Sequence, residues 1–366
     1  MELNYSLYAF FETLALIQGV TLGTLLIIVN KRKYKSTFYL GLMLVLYSIQ
    51  HLNPILEDIG LIKYHPFLYK LPINFLWLVG PLFYIYTQEV SMFGNKKIKY
   101  WLLYPGIISI FLQFGLFFFP YEIKVLVVQN IWYKIFFLTG FIFASTVIVL
   151  NLKLISKHKS EIENVFSMLE SKELKWAKIY LIFILIGSTL YAYQYYLLPK
   201  NDYSKIFFIL FDLIAIYWLS YHGIQQRNIL SLCSKKALSA INFSRNQSDK
   251  NLLNPKTEDM SPIMDSLDQY MISSECFINP ELTITDLSQA LEIHPKSISS
   301  ALNNVRNKNF NTYVNEFRIK KTILLLESSE RKNLSIEGIG NEVGFNSKSA
   351  FYTAFKKETN TTPTKY

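Results

Sequence analysis

Long runs of sequence without a charged residue restrict the fold of this chain more than any other feature. Six runs contain no Asp, Glu, Lys or Arg and are each 18 to 22 residues long: 13–30, 36–56, 71–88, 100–121, 135–152 and 179–199. A helix needs about 20 apolar residues to cross the hydrocarbon core of a bilayer. A seventh run, about 204–224, has Lys205 at its outer end and is otherwise interrupted only by Asp212. The sequence therefore predicts seven transmembrane helices, because a soluble helical core seldom supplies seven runs of this length.

The loops between these runs alternate in positive charge. The first, third and fifth loops hold 13 Lys and Arg residues, and the second, fourth and sixth hold 4 when Lys70 and Lys134 are counted with the spans whose edges they occupy. Cytoplasmic loops of membrane proteins are enriched in Lys and Arg. The pattern predicts that the N-terminus lies outside, that the odd-numbered loops are cytoplasmic and that the chain after the seventh span is cytoplasmic.

The net charge of +10 belongs to the membrane half of the sequence. Residues 1–259 hold 25 Lys and Arg against 15 Asp and Glu, whereas residues 260–366 hold 12 of each. The surplus is thus explained by membrane topology. The composition of the sequence also changes at 225–261, which is polar. This segment predicts a cytoplasmic linker between a seven-helix sensor domain, 1–224, and a soluble domain, 262–366.

Three ionisable residues are candidates for sensing a signal in the membrane: Asp212, Lys70 and Lys134. Charged side chains are costly inside a bilayer, so they usually face the interior of the helix bundle or pair with one another. A pairing of Asp212 with one of the lysines would be consistent with this cost. No catalytic motif or metal-ligand spacing stands out, and the two cysteines, Cys233 and Cys276, match no zinc site. The sequence predicts no enzymatic activity, no cofactor and no metal.

The last hundred residues have the spacing of short helices joined by tight turns. Thr283 can cap a helix whose capping-box position is Asp286. Pro295 can begin a second helix, which would turn Ile298, Ala301 and Leu302 inward. Two short helices with a tight turn predict a helix-turn-helix unit. The side chains that the second helix would expose include Lys296, Ser297, Ser299, Ser300, Asn303 and Asn304.

A second unit of the same kind follows a longer helix at about 311–327, which would place Tyr313, Phe317 and Leu324 on one side. Ser335 can cap its first helix, and Gly344-Phe345-Asn346 can form its turn. A helix at 347–357 would expose Lys348, Ser349, Tyr352, Thr353 and Lys356. Two such units on one linking helix suit two successive major grooves of DNA.

Residues 262–366 resemble the DNA-binding domain of the AraC/XylS family of transcription regulators. The resemblance rests on the segment LTITDL at 282–287, on GFNSKSAFYTAFKK at 344–357 and on TTPTKY at 361–366. Asn360 replaces a glycine that is usual in this family, and asparagine also tolerates the left-handed conformation. The resemblance implies that bases are contacted from the first unit by Lys296, Ser299 and Ser300, and from the second unit by Lys348, Ser349 and Thr353.

The sequence as a whole predicts an all-α chain, in which a polytopic seven-transmembrane-helix bundle is followed by a soluble double helix-turn-helix domain. The function it favours is a membrane-bound one-component transcription regulator in a bacterial inner membrane, which binds promoter DNA under control of a signal sensed by the bundle. Its expected partners are double-stranded DNA, the lipid bilayer, RNA polymerase, a second copy of the chain, and an unidentified small-molecule or membrane signal. Two alternatives stay open. The membrane half could be a transporter or enzyme that the last domain regulates, or the last domain could be a protein-interaction module.

Overall fold

The chain is described by a computed structural model over residues 6–30, 35–170, 172–197, 202–226, 260–328 and 334–366. Within these ranges the regular structure is helical, and the one β-type pairing is an isolated bridge between Phe166 and Thr283. The predicted all-α fold class is therefore confirmed. The chain divides into two compact units, of which the first contains Met1–Lys157 and Leu174–Ile229, and the second contains His158–Glu173 and Leu230–Tyr366. The predicted linker, 225–261, lies outside the described residues except at its two ends.

The first unit is built from helices that follow the apolar runs of the sequence. Their bounds are α1 Leu7–Asn30, α2 Lys35–Ile49, α3 Leu52–Asp58, α4 Leu76–Val90, α5 Tyr104–Phe117, α6 Tyr121–Gln129, α7 Ile131–Glu163, α8 Lys175–Leu197 and α9 Asp202–Gln225. α1 packs against α2, α3 and α9, and α2 also packs against α4. The result is a helical bundle with one continuous apolar core.

Six helical segments of the described residues are long and apolar enough to cross a membrane. The third predicted span, 71–88, differs from the others because its helix, α4, has only 15 residues. At about 1.5 Å per residue, a helix of this length reaches about 22 Å, which is short of a bilayer core of about 30 Å. α4 is also largely buried by its neighbours rather than exposed along one side. The number of crossings, and with it the side on which the N-terminus lies, stays a prediction.

Large apolar side chains cover much of the outside of the first unit. Phe118 is 79% exposed, Trp132 74% and Phe111 72%. A monomeric soluble protein rarely exposes contiguous apolar surface on this scale. This outer surface is the kind that lipid tails cover, in agreement with the apolar helices behind it.

α1 and α2 approach each other closely at a pair of glycines. A Cβ atom on Gly23 would lie 2.8 Å from the carbonyl oxygen of Gly41, and a Cβ on Gly41 would lie 2.6 Å from that of Gly23. Small residues allow this approach, which is a common way for helices to associate in membranes. Only glycine at both positions permits the contact as it stands.

The second unit contains the helices of the predicted DNA-binding domain. Their bounds are α10 Ser261–Ser274, α11 Ile284–Leu291, α12 Pro295–Val305, α13 Phe310–Glu327, α14 Ile336–Glu342 and α15 Lys348–Thr359. The second helix-turn-helix has its own apolar core, which includes Ile339, Val343, Phe351 and Phe355. Residues 158–173, which comprise the last six residues of α7 and most of the segment that joins it to α8, also belong to this unit.

Candidate DNA-binding surface and buried polar cluster

The first helix-turn-helix is formed by α11 and α12. The backbone N–H of Thr283 donates to the carboxylate of Asp286 at 2.8 Å, which completes the capping box at the start of α11. α12 begins at Pro295, and Ile298, Ala301 and Leu302 are fully buried. These features match the sequence prediction for this unit. They fix α12 by one apolar face and leave its other face to solvent.

The exposed face of α12 carries the residues predicted to contact DNA. Lys296 and Asn303 are exposed, and Ser297, Ser299 and Ser300 are half-buried. The side-chain amide of Asn303 donates to the carbonyl oxygen of Ser299 at 2.8 Å. This bond within the helix holds Asn303 beside Ser299, so the two side chains form one polar patch.

The linking helix, α13, contains a buried arginine that the sequence did not reveal. Arg318 is 1% exposed and donates to the carbonyl oxygens of Phe277 at 2.7 Å and Asn279 at 2.9 Å. Burial lowers the pKa of Arg318 to about 10, so the side chain stays charged at neutral pH. A buried charge requires such bonds to offset its loss of water. The predicted apolar side of α13 is correct for Tyr313, but Leu324 is 67% exposed.

The second helix-turn-helix is formed by α14 and α15. The hydroxyl oxygens of Ser335 and Ser347 accept bonds from backbone N–H groups at the starts of these helices, at 3.0 Å and 3.2 Å. The turn between them contains Gly344, which has a φ of +99°. A Cβ at that position would lie 2.5 Å from the carbonyl oxygen of Ile278. The turn therefore requires glycine for both its backbone angle and its close approach to Ile278, which precedes the first helix-turn-helix.

α15 exposes the second group of predicted contact residues. Lys348, Ser349, Thr353 and Lys356 are exposed, and Tyr352 is half-buried. These residues lie opposite the buried Phe351 and Phe355. The helix thus has one core-facing side and one polar, accessible side, as the sequence predicted.

Lys348 is held by a neighbour on α14. Its Nζ lies 2.7 Å from a carboxylate oxygen of Glu337 and 5.4 Å from the centre of the Tyr352 ring. The hydrogen bond and the opposite charge raise the pKa of Lys348 and lower that of Glu337. Contact between Lys348 and DNA would therefore require it to leave or share this acidic partner.

The end of α15 is closed by a residue in the left-handed conformation. Asn360 has a φ of +57°, and its backbone N–H donates to the carbonyl oxygen of Lys356 at 2.9 Å. The left-handed conformation expected of Asn360 is therefore confirmed. Beyond it, the ring of Tyr366 packs against Phe355 with 5.5 Å between ring centres.

A cluster of ionisable side chains lies inside the first unit. The hydroxyl of Tyr47 on α2 donates to the carboxylate of Asp212 on α9, and the ring of Tyr47 contacts that of His51 at 5.9 Å between centres. His51 pairs in turn with Glu12 on α1. Glu12 and His51 are 8% and 5% exposed, and Nε2 of His51 has no hydrogen-bond partner among the described atoms. One pair thus links α2 to α9, and the other links α1 to His51, which lies between α2 and α3; Tyr47 and Asp212 are half-buried.

The two lysines predicted alongside Asp212 lie elsewhere in the unit. Nζ of Lys70 lies 2.8 Å from the carboxylate of Glu57. Lys134 is exposed, and its carbonyl oxygen accepts a bond from the hydroxyl of Tyr196 at 2.9 Å. The described partner of Asp212 is therefore Tyr47 on α2 and not one of these lysines. Sequence reasoning missed Glu12 as part of the cluster, although its position directly before the first charge-free run is a signal that could have indicated it.

Two helix-turn-helix units on one linking helix, each with a polar outer helix, define a DNA-binding domain of the double helix-turn-helix class. Residues 287–366 match the family model described as a helix-turn-helix domain, of the AraC type. The predicted resemblance is thereby confirmed over this range, which starts within α11. Searches of curated proteins and of solved structures found no match.

Proposed function

We propose that the chain is a membrane-bound one-component transcription regulator that binds promoter DNA sequence-specifically. One observation carries the proposal: α12 and α15 both begin at a capped N-terminus, are buried along one side and expose lysine and hydroxyl side chains along the other. Such side chains can bond base edges or phosphates in the major groove. The ten residues proposed to contact DNA are Lys296, Ser297, Ser299, Ser300, Asn303, Lys348, Ser349, Tyr352, Thr353 and Lys356.

The charge of the domain bears on how it would bind. Residues 260–366 have no net charge. Positive residues are in excess only locally, for example in 296–321, which holds 6 Lys and Arg against 1 acidic residue. Most nonspecific affinity for DNA comes from neutralised phosphates. We therefore expect modest affinity from one domain, which favours binding as two copies or with RNA polymerase as an additional partner.

The control we propose is a signal received by the membrane unit, with the Tyr47–Asp212 and His51–Glu12 pairs as its sensing element. Charged groups inside a membrane bundle are usually functional. These pairs join α1, α2 and α9, so a ligand or lipid that changes them would shift the helices against each other. Lys70 and Lys134 are not part of this cluster and become weaker candidates.

A cytoplasmic position for the DNA-binding domain has a second line of support. Residues 158–173 contact the domain, so both lie on one side of the membrane. α8 and α9, which separate the two segments in sequence, are both long enough to cross. Two crossings return the chain to the side it started from, whatever the number of crossings before α7.

Selection of random DNA duplexes by the purified full-length protein tests this function. We expect one sequence family to be enriched, with binding that weakens as salt rises. Lys296→Ala and Lys348→Ala should each weaken the binding free energy for the preferred sequence by about 1–3 kcal/mol and relax the sequence preference. The control is Lys365→Ala, at an exposed lysine outside both outer helices. Equal weakening on all sequences would make the two lysines phosphate contacts. No enrichment and no salt-dependent binding would contradict DNA binding and favour an interaction module.

A further inference from the structure

The end of α7 and the segment that joins it to α8 are packed into the DNA-binding unit. We call residues 158–173 the docking loop; it includes the last six residues of α7, 158–163, and all of it except Ser171 is described. Ile162, Phe166, Ser167 and Lys172 are each less than 5% exposed. A connection between two membrane helices is ordinarily a surface segment with exposed side chains. The burial of this loop therefore indicates a built contact, which the function proposed above leaves unexplained.

Backbone hydrogen bonds set the position of the docking loop. The N–H of Ser167 donates to the carbonyl oxygen of Leu282 at 3.1 Å, and the N–H of Ile284 donates to that of Val165 at 3.0 Å. They form a short antiparallel pairing centred on Phe166 and Thr283. The pairing joins the loop to the residue that caps α11, so it fixes the loop in one register against the first helix-turn-helix.

Side chains of the linking helix complete the contact around Ser167. The amide of Asn311 donates to the carbonyl oxygen of Ser167 at 2.7 Å, and the guanidinium of Arg318 donates to its hydroxyl oxygen at 3.2 Å. The same hydroxyl donates to the carbonyl oxygen of Pro280 at 3.0 Å. Bonds to a charged, buried donor are stronger than neutral ones. Ser167 is thus held both by the segment that precedes α11 and by the linking helix, α13.

The docking loop also reaches the start of α15. The hydroxyl of Ser347, which caps α15, donates to the carboxylate of Glu170. The amide of Asn346 lies 2.9 Å from the sulfur of Met168. The N-terminus of a helix attracts anions and is a usual place for a DNA phosphate. Glu170 therefore places a negative charge where a phosphate would lie if α15 entered the major groove.

We propose that the docking loop is an internal binding site for the DNA-binding domain, and that docking and DNA binding at α15 exclude each other. The inference rests on the proposed DNA-binding function and gives it a means of control. The loop is continuous with α7 and α8, so a change in these helices that withdraws the loop would free α15. Because coupling between two binding events is reciprocal, DNA that displaces the loop would act back on the membrane helices by the same factor.

Loop variants test the competition without altering the DNA-binding domain. Glu170→Gln removes the charge at Ser347, and Glu161→Gln makes the same change at a loop residue that has no described bond to the domain. In the full-length protein in lipid nanodiscs, we expect Glu170→Gln to bind the selected duplex roughly threefold to tenfold more tightly, the range of the net contribution of one hydrogen bond. Glu161→Gln should match the unchanged protein. Equal affinity of all three proteins would overturn the competition.

A cysteine pair tests docking independently of DNA binding. In full-length protein with Cys233→Ser and Cys276→Ser, the substitutions Glu170→Cys and Ser347→Cys place two thiols at contacting positions. We expect a cross-link with a short bifunctional reagent, and its suppression by the selected duplex. Absence of the cross-link without DNA would overturn docking, and a cross-link unaffected by bound duplex would overturn exclusion. A protein that cross-links but binds no duplex would contradict the proposed function while supporting docking.

Discussion

Short polar side chains determine where the DNA-binding helices begin and end. Thr283 with Asp286, Ser335 and Asn360 act as the sequence predicted, because a cap depends on residues within three or four positions of it. Arg318 could not be predicted in the same way. Its carbonyl partners, on Phe277 and Asn279, are about 40 residues away in sequence, so its burial follows only from the packing of α13 against the segment that precedes α11.

Glu337 is expected to weaken DNA binding through Lys348. Glu337→Gln removes the acidic partner of Lys348 and a negative charge near the start of α15, so the affinity for the selected duplex should rise about twofold to fivefold at low salt, the range of an exposed ion pair. Fluorescence anisotropy with the full-length protein measures this. Glu342→Gln, an exposed residue at the end of the same helix, controls for net charge. An equal gain in both variants would show a general charge effect instead.

Arg318 is expected to stabilise the DNA-binding unit. Arg318→Met keeps most of the volume but leaves the carbonyl oxygens of Phe277 and Asn279 without their donor. Loss of charged hydrogen bonds at a buried site should lower the free energy of unfolding of this unit by about 3 kcal/mol. The loss is measured as faster amide hydrogen exchange in α11 and α13 of the full-length protein. Lys320→Met, at an exposed position on the same helix, should leave exchange unchanged. Exchange equal to that of the original protein in both variants would contradict a stabilising role.

At the scale of helices, apolar length predicted most of the membrane unit. Five charge-free runs correspond to α1, α2, α5, α7 and α8, and the run that Asp212 interrupts corresponds to α9, because a charged side chain is costly within a span. The run 71–88 forms only the 15-residue α4, because its first residues are not helical. Hydropathy cannot distinguish a buried short helix from a full crossing. The glycine contact between α1 and α2 was also not predicted, since it requires knowledge of which faces meet.

The contact between α1 and α2 should not tolerate a large side chain. Gly23→Leu places its side chain against the backbone of Gly41, so the two helices must separate and the buried polar cluster that they share with α9 must change. We expect overpacking to lower the free energy of unfolding by about 1–3 kcal/mol, which is measured as a lower melting temperature of the purified protein. Gly115→Leu is the matched control, because a Cβ there has no atom within 4 Å. Equal melting temperatures of the two variants would contradict the close packing.

At the scale of the whole molecule, two units with different surfaces occupy one chain. The sequence predicted this division from charge and hydropathy, since all ten surplus positive charges lie in residues 1–259. It did not place residues 158–173 with the DNA-binding unit. Contacts such as those of Ser167 join residues more than 100 positions apart, and nothing local in the sequence marks them. The assignment of residues 158–173 to the DNA-binding unit is thus the part that required the structure.

Asp212 is expected to matter for response rather than for folding. Asp212→Asn keeps the shape and the bond from Tyr47 but removes the charge from the cluster. If the cluster receives the signal, transcription from a target promoter should no longer respond, while the protein level and its DNA preference are unchanged. A promoter reporter with quantitative immunoblotting measures both. Lys134→Gln, an exposed residue outside the cluster, should respond normally. Loss of substrate uptake with a normal promoter response would favour a transporter.

Genome-wide DNA occupancy of the full-length, membrane-inserted protein tests most directly whether it is a membrane-bound regulator that reads DNA. We expect discrete peaks that share one sequence family and lie at promoters. We also expect that the double variant Lys296→Ala, Lys348→Ala, produced at the same level in the membrane, loses these peaks. Absence of discrete peaks, or peaks that the double variant retains unchanged, would contradict a membrane-bound regulator that reads DNA through α12 and α15.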